Sequence, residues 1–419
     1  MNWKVVAVLP FFGGWNIGSC WGGGAPPPTT VTDSAGVEIV LGAPGKLPGV
    51  RVKEELRIGV AEGDGPYALN GVRSVATTSD GTLVVADGGS ATVRVYTADG
   101  EFIRQFGGKG VGSGATDMLQ SAGVAGDTVF VVASSAGRPV TILFDLGGGF
   151  LTSWPRNRGD AGTVSLLGRS DRHWVGTVLR FPDPSTLRPG DRMTYSLGVH
   201  AVDPRDGTIG ERLAVRPGRS LTFRGGMDLE SPPIFDPVPR IQAAVDGRIF
   251  YTAGDGYDIE VLDDAGVLVR RIRRDVERAG VTPDLFESFR TSVEAFFEEI
   301  PPYPGKTEEM RRVTQGREPV VPYLPVIGGM ITGSDGSLWV ERGDLAEDPV
   351  AREVTLSVGE MMDDPDPRTW EVFDRTGAAV ATVRLPAAFE PHVADHESVT
   401  GVLRDDRHTE YVVRFRLRW

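Results

Sequence analysis

The stretch Ser79–Gly108, SDGTLVVADGGSATVRVYTADGEFIRQFGG, decides the fold. Two Asp-Gly pairs, Asp80-Gly81 and Asp99-Gly100, bracket two short apolar runs, and a third run follows. Glycine accepts positive φ and aspartate tolerates it, so each pair predicts a tight turn between antiparallel strands. Leu83 to Ala86, Val93 to Tyr96 and Phe102 to Phe106 read as strands, and Val72 to Thr77 supplies one before them. Four antiparallel strands in about 40 residues make one blade of a propeller.

The unit recurs. Asp246-Gly247 lies 166 residues after Asp80-Gly81. At that offset Val75 meets Ile241, Leu83 meets Ile249, Val93 meets Ile259 and Val95 meets Val261. Gly100 meets Gly266 and Arg104 meets Arg270, with no gap from first strand to fourth. Looser copies are GDTVFVVAS (126–134) with TILFDLGGGFLTSW (141–154), and RHWVGTVL (172–179) closed by DPRDGTIG (203–210). SDGSLWVER (334–342) with TWEVFDRTGAAVATVRL (369–385) forms another. The terminal SVTGVLRDDRHTEYVVRFRLRW (398–419) lacks an outer strand. A ring must close, and Val37 to Val40 or Leu56 to Ile58 would complete that last blade and remove an exposed edge. The expectation is an all-β, six-bladed β-propeller of four-stranded antiparallel blades over 32–419.

VVADGGSATVRVYTADGEFIRQFG resembles the NHL-type blade: a V-A-D, an arginine-apolar-aromatic strand, then an Asp-Gly turn. Gly88-Gly89-Ser90 stands where that repeat usually carries Asn. With the TDSAGVEIV start (32–40), SDGSLWV and the terminal hairpin, the chain is similar to a family of exported bacterial six-bladed β-propellers. That resemblance implies the fold and says little about activity.

The N-terminus, MNWKVVAVLPFFGGWNIGSC, has one basic residue, a short apolar run and small residues before Cys20. This is the order of a signal peptide, and the run is too short to span a bilayer. It resembles a lipoprotein signal, which makes Cys20 the expected lipid attachment and 1–20 the leader. WGGGAPPPTT then begins a Gly/Pro linker (21–31). The expected location is the bacterial cell envelope, lipid-anchored, or else secreted. Cys20 is the single cysteine, so the rest of the chain offers neither a disulfide nor a thiolate.

Net charge is −13, from 44 basic and 57 acidic side chains, which disfavours nucleic-acid phosphates as partners. The basic run Arg270-Arg271-Ile272-Arg273-Arg274 reads as a solvated strand end.

The Asp-Gly turns all fall on one face of the predicted ring, and the insertions on the other. RFPDPSTLRPGDRM (180–193) splits blade three, and 343–368, with MMDDPDP, splits blade five. The longest insert, 275–322, joins blades four and five. Within it Thr282-Pro283 predicts a helix start. Leu285, Phe286, Phe289, Val293, Phe296, Phe297 and Ile300 recur at helical spacing until Pro301-Pro302. This stripe reads as a lid on the ring, with a partner contact as the alternative. Functional groups concentrate on such loops.

Chemical motifs are sparse. His392 and His396, with Asp395 between them in PHVADHES, are the metal candidates, although Pro391 argues against the helix that an i, i+4 pair needs. Asp363, Asp364 and Asp366 offer oxygen ligands for a single Ca²⁺ or other divalent ion. The loop Gly107-Gly108-Lys109-Gly110 precedes no helix and reads as a connection. No cofactor site is apparent. Two functions remain open, beside a third reading as a structural scaffold within an envelope complex. One is a binding module that engages a protein, glycan or peptide through the insert-bearing face. The other is a metal-dependent lactonase- or esterase-like hydrolase with its site in the central channel. Sites of that hydrolase type use Asn beside acidic ligands, and beyond the leader only Asn70 and Asn157 are present, which counts against this reading.

Overall fold

The computed structural model describes residues 26, 28–43, 45–63, 65–159, 162–170, 172–225, 228–229, 232–314, 321–358 and 366–419. Cys20, Asp363 and Asp364 lie outside them. The chain begins with a hairpin, β1 (Thr29–Ser34) and β2 (Val37–Gly42), then the long β3 (Gly49–Ile58). Sheet one follows: β4 (Val72–Thr77), β5 (Leu83–Asp87), β6 (Thr92–Tyr96) and β7 (Phe102–Gly107). Sheet two is β8 (Met118–Ala125), β9 (Thr128–Ser135), β10 (Arg138–Asp145) and β11 (Phe150–Pro155). Sheet three is β12 (Thr163–Arg169), β13 (Trp174–Arg180), β14 (Arg192–Val202) and β15 (Ile209–Gly225), with the short β16 (Asp228–Leu229). Sheet four is β17 (Arg240–Ala243), β18 (Ile249–Thr252), β19 (Asp258–Leu262) and β20 (Leu268–Arg274). Helices α1 (Pro283–Glu299) and α2 (Lys306–Thr314) precede β21 (Ile327–Thr332) and β22 (Leu338–Arg342). Helix α3 (Pro349–Val358), β23 (Arg368–Phe373), β24 (Ala379–Leu385), β25 (Phe389–Ala394), β26 (Ser398–Arg404) and β27 (Glu410–Arg418) complete the chain.

The architecture is an all-β, propeller-like array of four-stranded antiparallel groups. Their faces bury each other, so β5 and β6 are buried at every position rather than alternately. The apolar clusters join each group to the next. Val84 and Val93 pack with Val129 and Ile142; Phe130 and Trp154 pack with Val164 and Trp174. Val175 and Val199 meet Ile249 and Leu262, and Phe250 meets Leu338 and Phe373. Trp339 and Val372 meet Val399 and Phe415. Val402 and Val412, with Ile58, then return to Val75 and Tyr96 of sheet one. The first strands β4, β8, β12, β17, β21 and β25 touch one another in the same closed order.

The turns between third and fourth strands explain how neighbours seat. Gly100, Gly148, Gly207, Gly266 and Gly377 have φ from +71° to +87°. A Cβ on each would strike the outer strand of the preceding group: Leu56, Phe106, Trp154, Leu213 and Ile272 respectively. Only glycine meets both demands.

Hydrogen bonding divides the strands into five sheets rather than the six separate ones expected. β24 pairs in parallel with β3 over only Thr382↔Gly49 and Val383↔Val50, and this short contact fuses two four-stranded groups into an eight-stranded sheet. Leu56 to Ile58 closes the last group, since β3 pairs antiparallel with β27 from Val412↔Ile58 to Arg418↔Arg51. Val37 to Val40 instead runs in β2, parallel to β20, and covers the edge of sheet four. The basic run of β20 is not a solvated strand end. Arg270 pairs with Glu38, Arg271 and Arg273 with Asp258, and the buried Arg274 with Glu371. The helices also differ from expectation, because α3 lies in the 343–368 insertion and α2 follows α1.

Candidate functional site

The insert-bearing end of the array carries a helical cap. Phe289, Val293 and Phe297 of α1 are buried with Val313 of α2 and Val350 and Val354 of α3. Ile234 and Phe235, before β17, and Leu324, after the long insert, complete that core. The aromatic stripe therefore closes on the 343–368 insertion and on the connection before β17, as a lid would. Pro283 opens α1 as predicted, whereas Thr282 makes no side-chain cap bond.

Between the cap and the first strands lies a cavity of about 300 Å³. Phe235, Val238, Leu324 and Ile327 make its apolar walls, and Arg219, Arg240 and Arg352 bring three guanidinium groups to it. Each arginine comes from a different element. The long β15 carries Arg219, whose Nε donates to Asp236 Oδ2 at 2.7 Å. α3 presents Pro349, Arg352, Glu353 and Leu356 at i, i+3, i+4 and i+7, one helical face. Arg352 Nη2 lies 2.6 Å from Glu341 Oε1, which is buried at the end of β22. The Gly328-Gly329 pair of β21 leaves room for this contact: Cβ atoms there would strike the Arg352 and Glu341 side chains.

Arg240, at the start of β17, differs from its two neighbours. Its Nη2 donates to the Gly328 carbonyl at 2.7 Å, and its Nε is buried with no hydrogen-bond partner among the described residues. Burial pulls its pKa below the ordinary arginine value; Glu341 opposes that shift, while Arg352 and Arg219 add to it. Phe235 is held at φ +56° with its ring buried. A left-handed aromatic residue is uncommon and costs backbone strain.

Beside this cavity runs a matched ion network. Arg342 Nη1 and Arg274 Nη1 reach Glu371 Oε1 at 2.9 and 2.5 Å, and Tyr257 donates to Glu371 Oε2 at 2.6 Å. Burial, then Glu371, pushes the Tyr257 hydroxyl well above its usual pKa. Arg342 Nε also lies 2.8 Å from Asp344 Oδ1, so two arginines face two carboxylates and the network reads as a lock between sheet four and the eight-stranded sheet.

At the opposite end the tight turns surround a cavity of about 620 Å³ lined by Thr77, Thr78, Ser334, Asp395 and Arg414 among others. The sequence candidates lie near that end without converging. His392 is the extra residue of a bulge in β25, between Pro391↔Gly401 and Val393↔Thr400. Its Nε2 is buried without a partner among the described residues, and burial lowers its pKa, with Glu390 opposing and Arg404 adding. His396 is exposed and its Nδ1 lies 3.1 Å from Asp335 Oδ2. Asp395 is engaged in its own turn, accepting from the Glu397 and Ser398 amides at 2.8 and 2.7 Å. Among the described residues no group of three or more His, Cys, Asp or Glu side chains is placed to hold a metal ion.

Sequence reasoning did not single out Arg219, Arg240 or Arg352. Two signals were available. The 166-residue repeat places Arg240 opposite Ser74, a charge in place of a small hydroxyl one residue before the Val75–Ile241 match. Gly328-Gly329 inside a strand marks a close approach of other groups.

No family model matches the chain, and no curated protein matches its sequence. Among solved structures, a DUF4221 family member from Bacteroides vulgatus is similar over 88% of this chain and 98% of its own, at 9% identity and a TM-score of 0.50. A Bacteroides fragilis protein described as exported aligns over 88% and 99% at 10% identity, with a TM-score of 0.46. Virginiamycin B lyase from Staphylococcus aureus aligns over 88% and 100% at 10% identity, with a TM-score of 0.39. At such identities the likeness concerns the fold alone, and the fold hosts unrelated functions. Among the described residues no helix is long and apolar enough to cross a membrane.

Proposed function

We propose that this chain is an exported six-bladed β-propeller and a binding module that takes its ligand at the capped end of the ring. The six-blade count is supported by the closed cycle of apolar interfaces. The eight-stranded sheet then counts as two blades touching through two residue pairs. Export is supported by the leader-like N-terminus, with Cys20 as the lipid attachment that would hold the ring at an envelope membrane. The binding reading rests on one observation. Two insertions far apart in the chain and the connection before β17 share one core, and beneath it they leave a cavity with apolar walls and converging arginines. A concave, largely apolar site with a few placed polar groups is how proteins hold peptides and small molecules. Retention there needs no covalent step.

The test is capture from envelope extracts by the immobilised full chain, with Val238→Trp, which fills the cavity, as the comparison. A protein, peptide or glycan retained by the wild type and lost from folded Val238→Trp supports the reading. Turnover of a lactone or ester that requires an added divalent ion and survives Val238→Trp would move the function to the channel and to hydrolysis.

A further inference from the structure

We propose that the cap cavity takes an organic acid and that Arg240 holds its carboxylate. This rests on the binding reading above and narrows it to a ligand class. Three cations face the cavity, and two are matched: Arg219 by Asp236, and Arg352 by Glu341. Glu353, also at the cavity wall, is engaged with a partner. Among the described residues Arg240 has only a backbone carbonyl as partner, and its Nε is buried with none. A half-buried cation with no anion beside its buried Nε costs free energy until one arrives. The guanidinium edge is shaped for a carboxylate, which accepts from it at charge-assisted distances.

The charge balance selects among anions. One unmatched positive charge suits a monoanion. A phosphate dianion would place a second negative charge beside Asp236 and Glu341 with no cation left for it. Phe235, Val238, Leu324 and Ile327 require the rest of the ligand to be apolar. The cavity volume, about 300 Å³, is at the lower end for ligand pockets, so that apolar portion is short. Two sources share this chemistry: a free apolar carboxylic acid, and the C-terminal carboxylate of a peptide with an apolar last residue.

The experiment is calorimetric titration of the full chain with a panel of aliphatic and aromatic carboxylic acids, 4-phenylbutyrate included. Their primary amides, a peptide ending in Leu-Phe with a free or amidated C-terminus, and inorganic phosphate complete the set. Concentrations reach about 10 mM, where even millimolar affinity registers. The expected result is binding of an acid, at least tenfold weaker binding of its amide, and at least tenfold loss in folded Arg240→Gln. Should Arg240→Gln not fold, Arg240→Lys keeps the charge, removes the planar fork and is expected to show the same loss. Binding confined to the free peptide terminus assigns the peptide source; binding of free acids assigns small molecules. The inference is overturned if no acid or peptide carboxylate binds, if amides or phosphate bind equally well, or if the folded Arg240 variants bind unchanged. A ligand captured from extract by the wild type and by Arg240→Gln alike would leave the binding reading standing while this inference falls.

Discussion

Sheets one and four are the same unit written twice, and their differences are more informative than their likeness. Where the residues match, the roles match. Gly100 and Gly266 each seat a turn in the preceding outer strand. Arg104 Nη1 donates to the Gly147 carbonyl at 3.1 Å and Arg270 Nη1 to the Arg375 carbonyl at 2.8 Å, each in the next group's corresponding turn. Where the residues differ, the roles separate. Ser74 accepts from the Ala122 amide and donates to its carbonyl, both at 2.8 Å, which satisfies it completely. Arg240, at the aligned place, also bridges to the next inner strand and then has charge to spare. Matched positions hold the ring together; the departure lies at the cavity.

The largest effect is expected where sheet one has a buried pair that sheet four lacks. Asp87, fully buried, lies 2.7 Å from Arg94, and the aligned residues in sheet four are Ala253 and Glu260. Asp87→Ala leaves a buried guanidinium unpaired and should cost about 3–5 kcal/mol in urea unfolding. Ala253→Gly should cost roughly 1 kcal/mol or less. Equal losses would show that the pair does not distinguish the two sheets. Next come the turns. Gly266→Ala meets the Leu213 backbone, which cannot yield, and a φ of +80°. It should cost about 3 kcal/mol, the left-handed penalty plus a clash. Gly100→Ala meets the Leu56 Cδ1 atom at 2.9 Å, a side chain that can rotate, and should cost about 2 kcal/mol. Reversal of that order would mean the two seats are not equivalent.

Smaller but opposite in sign are the changes at the departure itself. Ser74→Ala strands the buried Ala122 amide and should lower stability by about 1–2 kcal/mol. Arg240→Met removes a half-buried cation beside two others and should raise the stability of the ligand-free protein by up to about 1 kcal/mol. Thermal melts of both variants decide it. A loss at Arg240 as large as that at Ser74 would make it an architectural bridge and nothing more.

The parts of the molecule legible in sequence are those the ring repeats. Asp-Gly turns, β-branched runs and the 166-residue match carry short-range rules that hold wherever they occur, so sheets one and four could be read directly; for the closing strand the sequence left Val37 to Val40 and Leu56 to Ile58 as alternatives, and pairing with β27 selects the second. The inner strands β8 and β12 were missed because MLQSAGVA and TVSLLGR lack turn punctuation and clear alternation. Helix α2 was missed because KTEEMRRVT buries a single residue, Val313, and has no apolar stripe. The cavity was invisible for a different reason. Arg219, Arg240 and Arg352 meet from two strands, β15 and β17, and the inserted helix α3, and no local pattern records that meeting. The candidates that were legible, His392, Asp395 and His396, stood together in sequence because they share a strand end, and a bulge and a turn then separate their roles.

The smallest effect concerns acid, and it locates weakness outside the two compared sheets, neither of which contains histidine. Burial lowers the pKa of His200 in sheet three; the Gly210 carbonyl opposes, while Arg180 and Arg212 add to the shift. His392 is lowered in the same way. A depressed folded pKa means that the unfolded chain binds more protons between the two values. The stability these residues contribute is therefore complete above the ordinary imidazole pKa, about 6.5, and is lost as pH falls through the window below it. Each adds a slope of at most about 1.4 kcal/mol per pH unit. Urea unfolding from pH 7.5 to 5.5 should show the decline, and His200→Gln with His392→Gln should flatten it. Hydrogen exchange at the acid end should then loosen β14 and β25 first and leave β5 and β18 protected. Loosening of β5 or β18 at the same pH would show that the repeated sheets share the weakness, and would break the division between what holds this ring and what departs from it.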